Sequence, residues 1–207
     1  QSDITFSKEL SSDFKNQIIY EESFEDVPRT TYEVLKGWRT NNTSNEIFIS
    51  GRNPSDGFQS MRLFTPNSDP FMWARSPYFG PMTTGIFELT MDIRVNSDVQ
   101  TGFFNRFDLY VYDGKTDDLS SGVILLDYND GEKDGRIYTY DLNPENPEEA
   151  FFYSTPFEVV LDEYRELKII YDATNHRIRY YYGGELISVN QYTSGTSPDY
   201  FYFYLFS

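Results

Sequence analysis

The sequence predicts an all-β chain folded as a two-sheet antiparallel sandwich, and three observations carry that expectation. Tyrosine and phenylalanine, 18 of each, supply nearly all of an aromatic fraction of 18% among 207 residues, and such side chains favour half-buried strands. Apolar and polar residues alternate with period two in segment after segment, the mark of a strand with one buried face. Gly/Asp/Asn turns separate those segments at short spacing, as in sandwiches and barrels.

The clearest strand is 85–95 (GIFELTMDIRV), where Phe87, Leu89, Met91, Ile93 and Val95 fall on one side and Glu88, Thr90, Asp92 and Arg94 on the other. Upstream, 18–24 (IIYEESF) reads as the first strand, and 46–50 and 59–64 flank the loop GRNPSDGF. Downstream, 105–112 (NRFDLYVY) sets Phe107, Leu109 and Val111 against Asp108, Tyr110 and Tyr112. Strands are then expected at 123–128, 136–141, 157–161 and 166–171. After the turn ATNH, Ile178, Tyr180 and Tyr182 alternate with Arg177, Arg179 and Tyr181, and Gly183-Gly184 is a two-residue hairpin signal. The chain closes on a strand at 200–206 (YFYFYLF). The run PFMWARSPYFG around Trp73 reads as a proline-punctuated loop. Convincing helix is scarce. Residues 1–17 are polar and read as a tether, and 18–207 as a single domain.

Charge narrows the function. With 33 acidic and 17 basic residues the chain carries a formal charge of −16. Phosphate neutralisation needs a basic face, so nucleic-acid binding is not expected, nor is attraction to anionic lipid. No apolar run approaches the roughly 20 residues that span a bilayer. There are no cysteines, which removes disulfides, thiolate metal sites and cysteine nucleophiles. The polar opening QSDITFSKELSSDFKNQ resembles the tether of an exported protein, so an extracellular or cell-surface location is expected.

Two stretches, IIYEESFED followed by GWRTNN, and RELKIIYDATNHRIRYYYGGELISV, resemble the concanavalin A-like lectin/glucanase superfamily, including its laminin G-like domains. The second is similar to the family's consecutive strands, an extended segment ending in Asp, a turn, and a hairpin around Gly-Glu. GIFELTMDIRVN is similar to the long strand between them. The resemblance implies a concanavalin A-like jelly roll. It leaves lectins, binding modules, glycosidases, lyases and adhesion domains open, because fold does not select function.

Glycosidases of this fold carry carboxylates at alternate positions of one strand, and retaining hydrolysis needs two of them about 5–5.5 Å apart. Glu88 and Asp92 share a face, but four residues of strand put them about 13 Å apart, and Arg94 stands where a third carboxylate is wanted. The single histidine, His176, lies in a turn, which leaves both a lyase base and a Ser/His/Asp triad without support. No catalytic residue is assigned. Calcium is the expected structural cofactor, because Asp127, Asn129, Asp130, Glu132 and Asp134 offer oxygen ligands on a glycine-kinked loop. Asp113-Gly114 with Asp117-Asp118 is a second acidic turn of ordinary hairpin chemistry.

Sugar faces stack on rings while their hydroxyls pair with Asp, Asn and Arg. Trp73 and Arg75, the alternating Tyr110 and Tyr112, and Arg179 and Tyr181 are therefore the candidate glycan-binding residues, with Glu88 and Asp92 as polar partners. A Tyr/Arg floor is expected if these residues share one concave sheet face. The leading expectation is non-catalytic recognition of an extracellular polysaccharide or glycan. The alternatives are a structural or adhesion domain binding protein, and an atypical glycoside hydrolase or polysaccharide lyase.

Overall fold

A computed structural model of the chain describes residues 4–9, 17–22, 37–40, 47–50, 60–63, 71–95, 105–128, 135–142, 150–191 and 196–206. Fifteen strands are described: β1 (Ile4–Glu9), β2 (Gln17–Glu22), β3 (Arg39–Thr40), β4 (Ile47–Ser50), β5 (Ser60–Leu63), β6 (Phe71–Arg75), β7 (Ile86–Arg94), β8 (Asn105–Tyr112), β9 (Leu119–Tyr128), β10 (Arg136–Leu142), β11 (Ala150–Glu158), β12 (Tyr164–Asp172), β13 (Arg177–Tyr182), β14 (Glu185–Gln191) and β15 (Tyr200–Phe206). A six-stranded sheet runs β14-β13-β12-β7-β1-β2 and a seven-stranded sheet runs β11-β10-β9-β8-β15-β6-β3, with β4-β5 as a separate hairpin. Within the sheets every pairing is antiparallel. No helix among the described residues is long and apolar enough to cross a membrane.

The two sheets bury the apolar stripes that the alternation marks out. Leu89 of β7 and Leu167 and Ile169 of β12 face Leu109 and Val111 of β8, Val123 of β9 and Phe201 of β15, all fully buried. Each such side chain is worth about 1.5–3 kcal/mol of burial. Tyrosines also enter this core, and each hydroxyl finds a partner, as burial demands. Tyr171 Oη lies 2.6 Å from Ser121 Oγ, and Tyr180 Oη donates to the Tyr140 carbonyl at 3.4 Å. Both contacts join the six-stranded sheet to the seven-stranded one. Trp38 closes one end, stacked on Phe203 with centroids 5.8 Å apart and edge-on to Phe201 at 5.7 Å.

Three expectations need correction. Part of the segment expected as a tether, 1–17, is strand: β1 sits inside the six-stranded sheet between β7 and β2. β1 reads as polar because ITFSKE has few apolar residues and takes its place through backbone pairing to β7. The run around Trp73, expected as a loop, contains β6, paired with β15 from Phe71 to Arg75. The strand expected at 157–161 lies earlier, as β11, and the β10–β11 register shifts between Arg136 and Tyr138. Pro156 stands opposite that shift, where a missing N–H breaks no regular ladder bond.

Candidate functional site

Alternation sends the residues between the core positions to the two outer faces, and register decides which of them meet. On the seven-stranded sheet, Tyr110 pairs with Tyr202 and Tyr112 with Tyr200 across β8 and β15. Tyr204 pairs with Trp73, and Tyr202 with Arg75, across β15 and β6. The result is a continuous layer of rings. Tyr112 stacks on Tyr200 at 5.7 Å with planes 11° apart, and Tyr202 stacks on Tyr204 at 5.3 Å. Trp73 meets Tyr202 edge-on at 5.3 Å, and Tyr110 lies 5.2 Å from Tyr204. Aromatic pairs of this kind add about 0.5–1.5 kcal/mol beyond their buried area.

The layer extends toward β11 because of one glycine. Gly122 of β9 is opposite Tyr110, and a Cβ there would stand 2.9 Å from the Leu109 carbonyl oxygen, 3.0 Å from the Tyr110 ring and 3.1 Å from the Phe152 ring. Its bare backbone lets Phe152 reach across to stack on Tyr110 at 5.3 Å. At the other end Tyr78, about half exposed, meets Tyr200 edge-on at 5.1 Å.

Beneath the rings lies a charged anchor. Asp108 is fully buried and takes a two-pronged ion pair from Arg106, Nε to Oδ1 and Nη2 to Oδ2, each at 2.6 Å. Arg106 Nη2 also donates to Tyr110 Oη at 2.7 Å. Burial raises the Asp108 carboxyl above the ordinary carboxylate range, and the bonds from Arg106 and Tyr110 only partly offset it. Tyr110 is held well above its ordinary value by burial and by the Asp108 charge. Tyr200 and Tyr204 are raised likewise, with burial the largest cause in each. All three keep their phenolic protons across physiological pH and so remain hydroxyl donors.

The outer face of the six-stranded sheet has a different chemistry. Glu88 accepts from Thr90 Oγ1 at 3.1 Å and lies 3.8 Å from Lys168 Nζ, which in turn lies 3.4 Å from Glu166. Asp92 is opposite Glu166, Tyr181 opposite Lys168, and Arg179 opposite Ile170. Exposed and half-exposed pairs of this kind contribute about 0–1 kcal/mol each.

The expected floor is therefore two surfaces. The structure brings Trp73, Arg75, Tyr110 and Tyr112 together on the seven-stranded sheet. It places Arg179, Tyr181, Glu88 and Asp92 on the opposite side of the molecule. Asp127 lies in β9, but its side chain, with Asn129, Asp130, Glu132 and Asp134, is outside the described residues. Among the described residues no group of three or more acidic or histidine side chains is placed to hold a metal ion. The second acidic turn is tied internally: Asp113 accepts from the backbone N–H of Lys115 at 2.7 Å, Thr116 at 3.1 Å and Ser197 at 2.7 Å. Burial pushes the Asp113 carboxyl up, but those N–H groups and the Lys115 charge outweigh it and hold it below the usual range.

Sequence reasoning passed over Tyr200, Tyr202, Tyr204, Arg106, Asp108 and Phe152. The tyrosines were legible in the alternation of YFYFYLF, and Asp108 in its face-sharing with Tyr110. Phe152 had no local signal, since it reaches Tyr110 across two intervening strands.

No known protein family matches the chain by sequence, and no curated protein matches it. Solved structures match by fold. The carbohydrate esterase vb_24B_21 from Shiga toxin-encoding bacteriophage phi24B superposes with a TM-score of 0.55 at 8% identity, over 81% of this chain and 81% of that one. The Bacillus licheniformis beta-glucanase gives 0.50 at 15% identity, over 86% and 83%. The metal-free carbohydrate recognition domain of Emp46p gives 0.50 at 11% identity, over 83% and 81%. At such identities the likeness is one of architecture. This chain has the concanavalin A-like jelly-roll fold.

Proposed function

We propose that this domain binds an extracellular glycan on the outer face of its seven-stranded sheet and does not cleave it. The observation that carries the reading is the ring layer of Trp73, Tyr110, Tyr112, Tyr200, Tyr202 and Tyr204, partly exposed apart from Tyr200 and studded with phenolic hydroxyls. Such a surface offers stacking faces and hydrogen-bond groups together, which is what sugar recognition uses. The non-catalytic half rests on the carboxylates. Across β6, β8 and β15, Asp108 is the one acidic residue on this face, and it is locked to Arg106. Glycosidic cleavage by a carboxylate pair needs two, one of them free to take or give a proton.

Affinity electrophoresis through gels containing single polysaccharides tests the reading. Retardation by at least one polymer, lost in Trp73→Ala, is expected. Retardation indifferent to Trp73→Ala moves the site elsewhere. Release of reducing sugar from the retarding polymer overturns the non-catalytic assignment. Calcium in the turn following Asp127 is a proposal from its oxygen-rich sequence: chelator then lowers the melting temperature, and an unchanged value removes the ion.

One observation favours a second reading, adhesion to protein. β11 and β14 are the outermost described strands on one side of their sheets, and Phe151, Tyr153, Leu186 and Val189 on them are 42–55% exposed. Open edges with apolar side chains are templates for strand addition. Concentration-dependent sedimentation that Tyr153→Lys and Val189→Lys abolish supports this use, and a monomer at all concentrations counts against self-pairing.

A further inference from the structure

We propose that the glycan taken by this face is acidic, its carboxylate or sulfate group held between Arg39 and Arg75. The inference rests on the glycan reading and adds the ligand's charge.

Arg39 of β3 is the register partner of Arg75 of β6. Directly opposite residues share a face with Cβ atoms about 4.5–5.5 Å apart, and like charges placed so repel. Arg39 lies beside the buried Trp38 and Arg75 between the buried Ala74 and Ser76, so both arginines project from the outer face. Several cations on the sheets meet carboxylates: Arg106 meets Asp108, Arg94 meets Asp162, Arg165 meets Glu163, and Lys168 meets Glu88 and Glu166. Among the described residues Arg39 and Arg75, like Arg177 and Arg179 on the other sheet, meet none, but only Arg39 and Arg75 face each other in register.

Arg75 is held in place without being neutralised. Its Nη1 donates to Tyr78 Oη at 3.2 Å, and its Cζ sits 4.8 Å from the Tyr78 ring centre and 5.3 Å from that of Tyr200. Its Nε is shielded from solvent and has no acceptor. Ring faces attract a guanidinium by about 0.5–2 kcal/mol, and they orient it while leaving its net charge for a ligand. Arg39 is exposed beside it. Two guanidiniums on one face can grip a carboxylate or sulfate through paired N–H groups.

Position ties the pair to the sugar face. Register sets Tyr110, Tyr202, Arg75 and Arg39 in one row across β8, β15, β6 and β3. At about 4.8 Å per strand the row spans about 14 Å, with rings at one end and cations at the other. The chain's overall charge of −16 acts weakly at this range, because salt screens charges beyond about 8 Å.

The test is a glycan array printed with sialylated, sulfated and uronic-acid oligosaccharides, each beside its desialylated, desulfated or methyl-esterified counterpart. Binding confined to acidic members, weakened by added salt and reduced at least tenfold by Arg39→Gln and by Arg75→Gln, is the expected result. Arg39→Gln keeps the wild-type melting temperature, since the removed side chain is exposed and relieves a repulsion, so lost binding there is not lost folding. Equal binding to the neutral members, or acidic binding untouched by both substitutions, overturns the acidic-sugar assignment and leaves glycan recognition standing. Silence across the whole array overturns both.

Discussion

On the outer face of the six-stranded sheet, Lys168 stands 3.8 Å from Glu88 and 3.4 Å from Glu166. On the outer face of the seven-stranded sheet, Tyr112 stacks on Tyr200 and Trp73 stands edge-on to Tyr202. Both faces are the solvent side of antiparallel strands whose other side is core, and both follow the same alternation. They differ in what holds their side chains. The first is a set of hydrated ion pairs, each cheap to lose. The second is a layer of rings in mutual contact over a buried ion pair, so each member constrains its neighbours. A surface that orders itself before a ligand arrives loses less entropy on binding, which is why the second face and not the first reads as a recognition surface.

The sharpest way to break the comparison is to remove one carboxylate from each face. Asp108→Ala removes the buried carboxylate that pairs with the Arg106 guanidinium and costs about 3 kcal/mol by the usual penalty for breaking a buried ion pair. Glu166→Ala, which takes one surface neighbour from Lys168, stays within about 1 kcal/mol. Urea denaturation measures both, and equal losses would show that the two faces are anchored alike.

Gly122→Ala comes next. Its Cβ would press on the Leu109 carbonyl and on the Tyr110 and Phe152 rings, and overpacking of this kind costs about 1–3 kcal/mol. The same substitution separates the Tyr110–Phe152 stack, so near-ultraviolet circular dichroism changes along with stability. A variant as stable as the parent, with unchanged ring signals, would mean that the rings are not packed as described.

Smaller in energy but closer to function is the pair Tyr202→Ala and Tyr181→Ala. The first removes the ring that touches Trp73, Tyr112 and Tyr204 and is expected to weaken glycan binding about tenfold, or about 1.4 kcal/mol. The second, on the other face, leaves binding unchanged. The reverse pattern in titration calorimetry would transfer the site to the six-stranded sheet.

The smallest effects follow pH. Asp172 is held below the ordinary carboxylate range first by its bond from the Asn175 amide and further by the Asn175 and Thr174 backbone. Asp113 is depressed in net by the backbone donors described above. A depressed carboxylate adds stability that is complete above its unfolded pKa of about 3.9 and is lost as pH falls through the folded value. Asp108 is raised, so its contribution has the opposite sign, full below that unfolded value and lost as pH rises through the folded one. Asp113→Asn and Asp172→Asn should therefore flatten the acid limb of the stability curve below about pH 4, whereas Asp108→Asn should not. Identical acid limbs in all three variants would contradict these environments.

Much of the fold was legible because burial leaves a periodic trace. GIFELTMDIRV, NRFDLYVY and YFYFYLF each predict their strand, since one side of each must be apolar. The hairpin at Gly183-Gly184 was legible because both glycines take positive φ, 57° and 85°, which other residues adopt only with strain. The elements that stayed hidden have no such trace. β1 and β3 join sheets through backbone bonds that any sequence can make, and β6 is a five-residue strand beside proline-rich flanks.

What the sequence determined by itself is which residues face outward, because period two divides each strand into an inner and an outer set. What it could not determine is which outward residues share a surface. Tyr110 and Arg179 carry the same signature in their own strands, yet β8 lies in one sheet and β13 in the other. Strand pairing joins segments far apart in the chain, Arg39 to Arg75 and Arg75 to Tyr202. Those contacts leave no local pattern, because their partners are chosen by how the two sheets close over a common core. Only the tertiary structure, by setting that order, gathered the rings on one face and the ion pairs on the other.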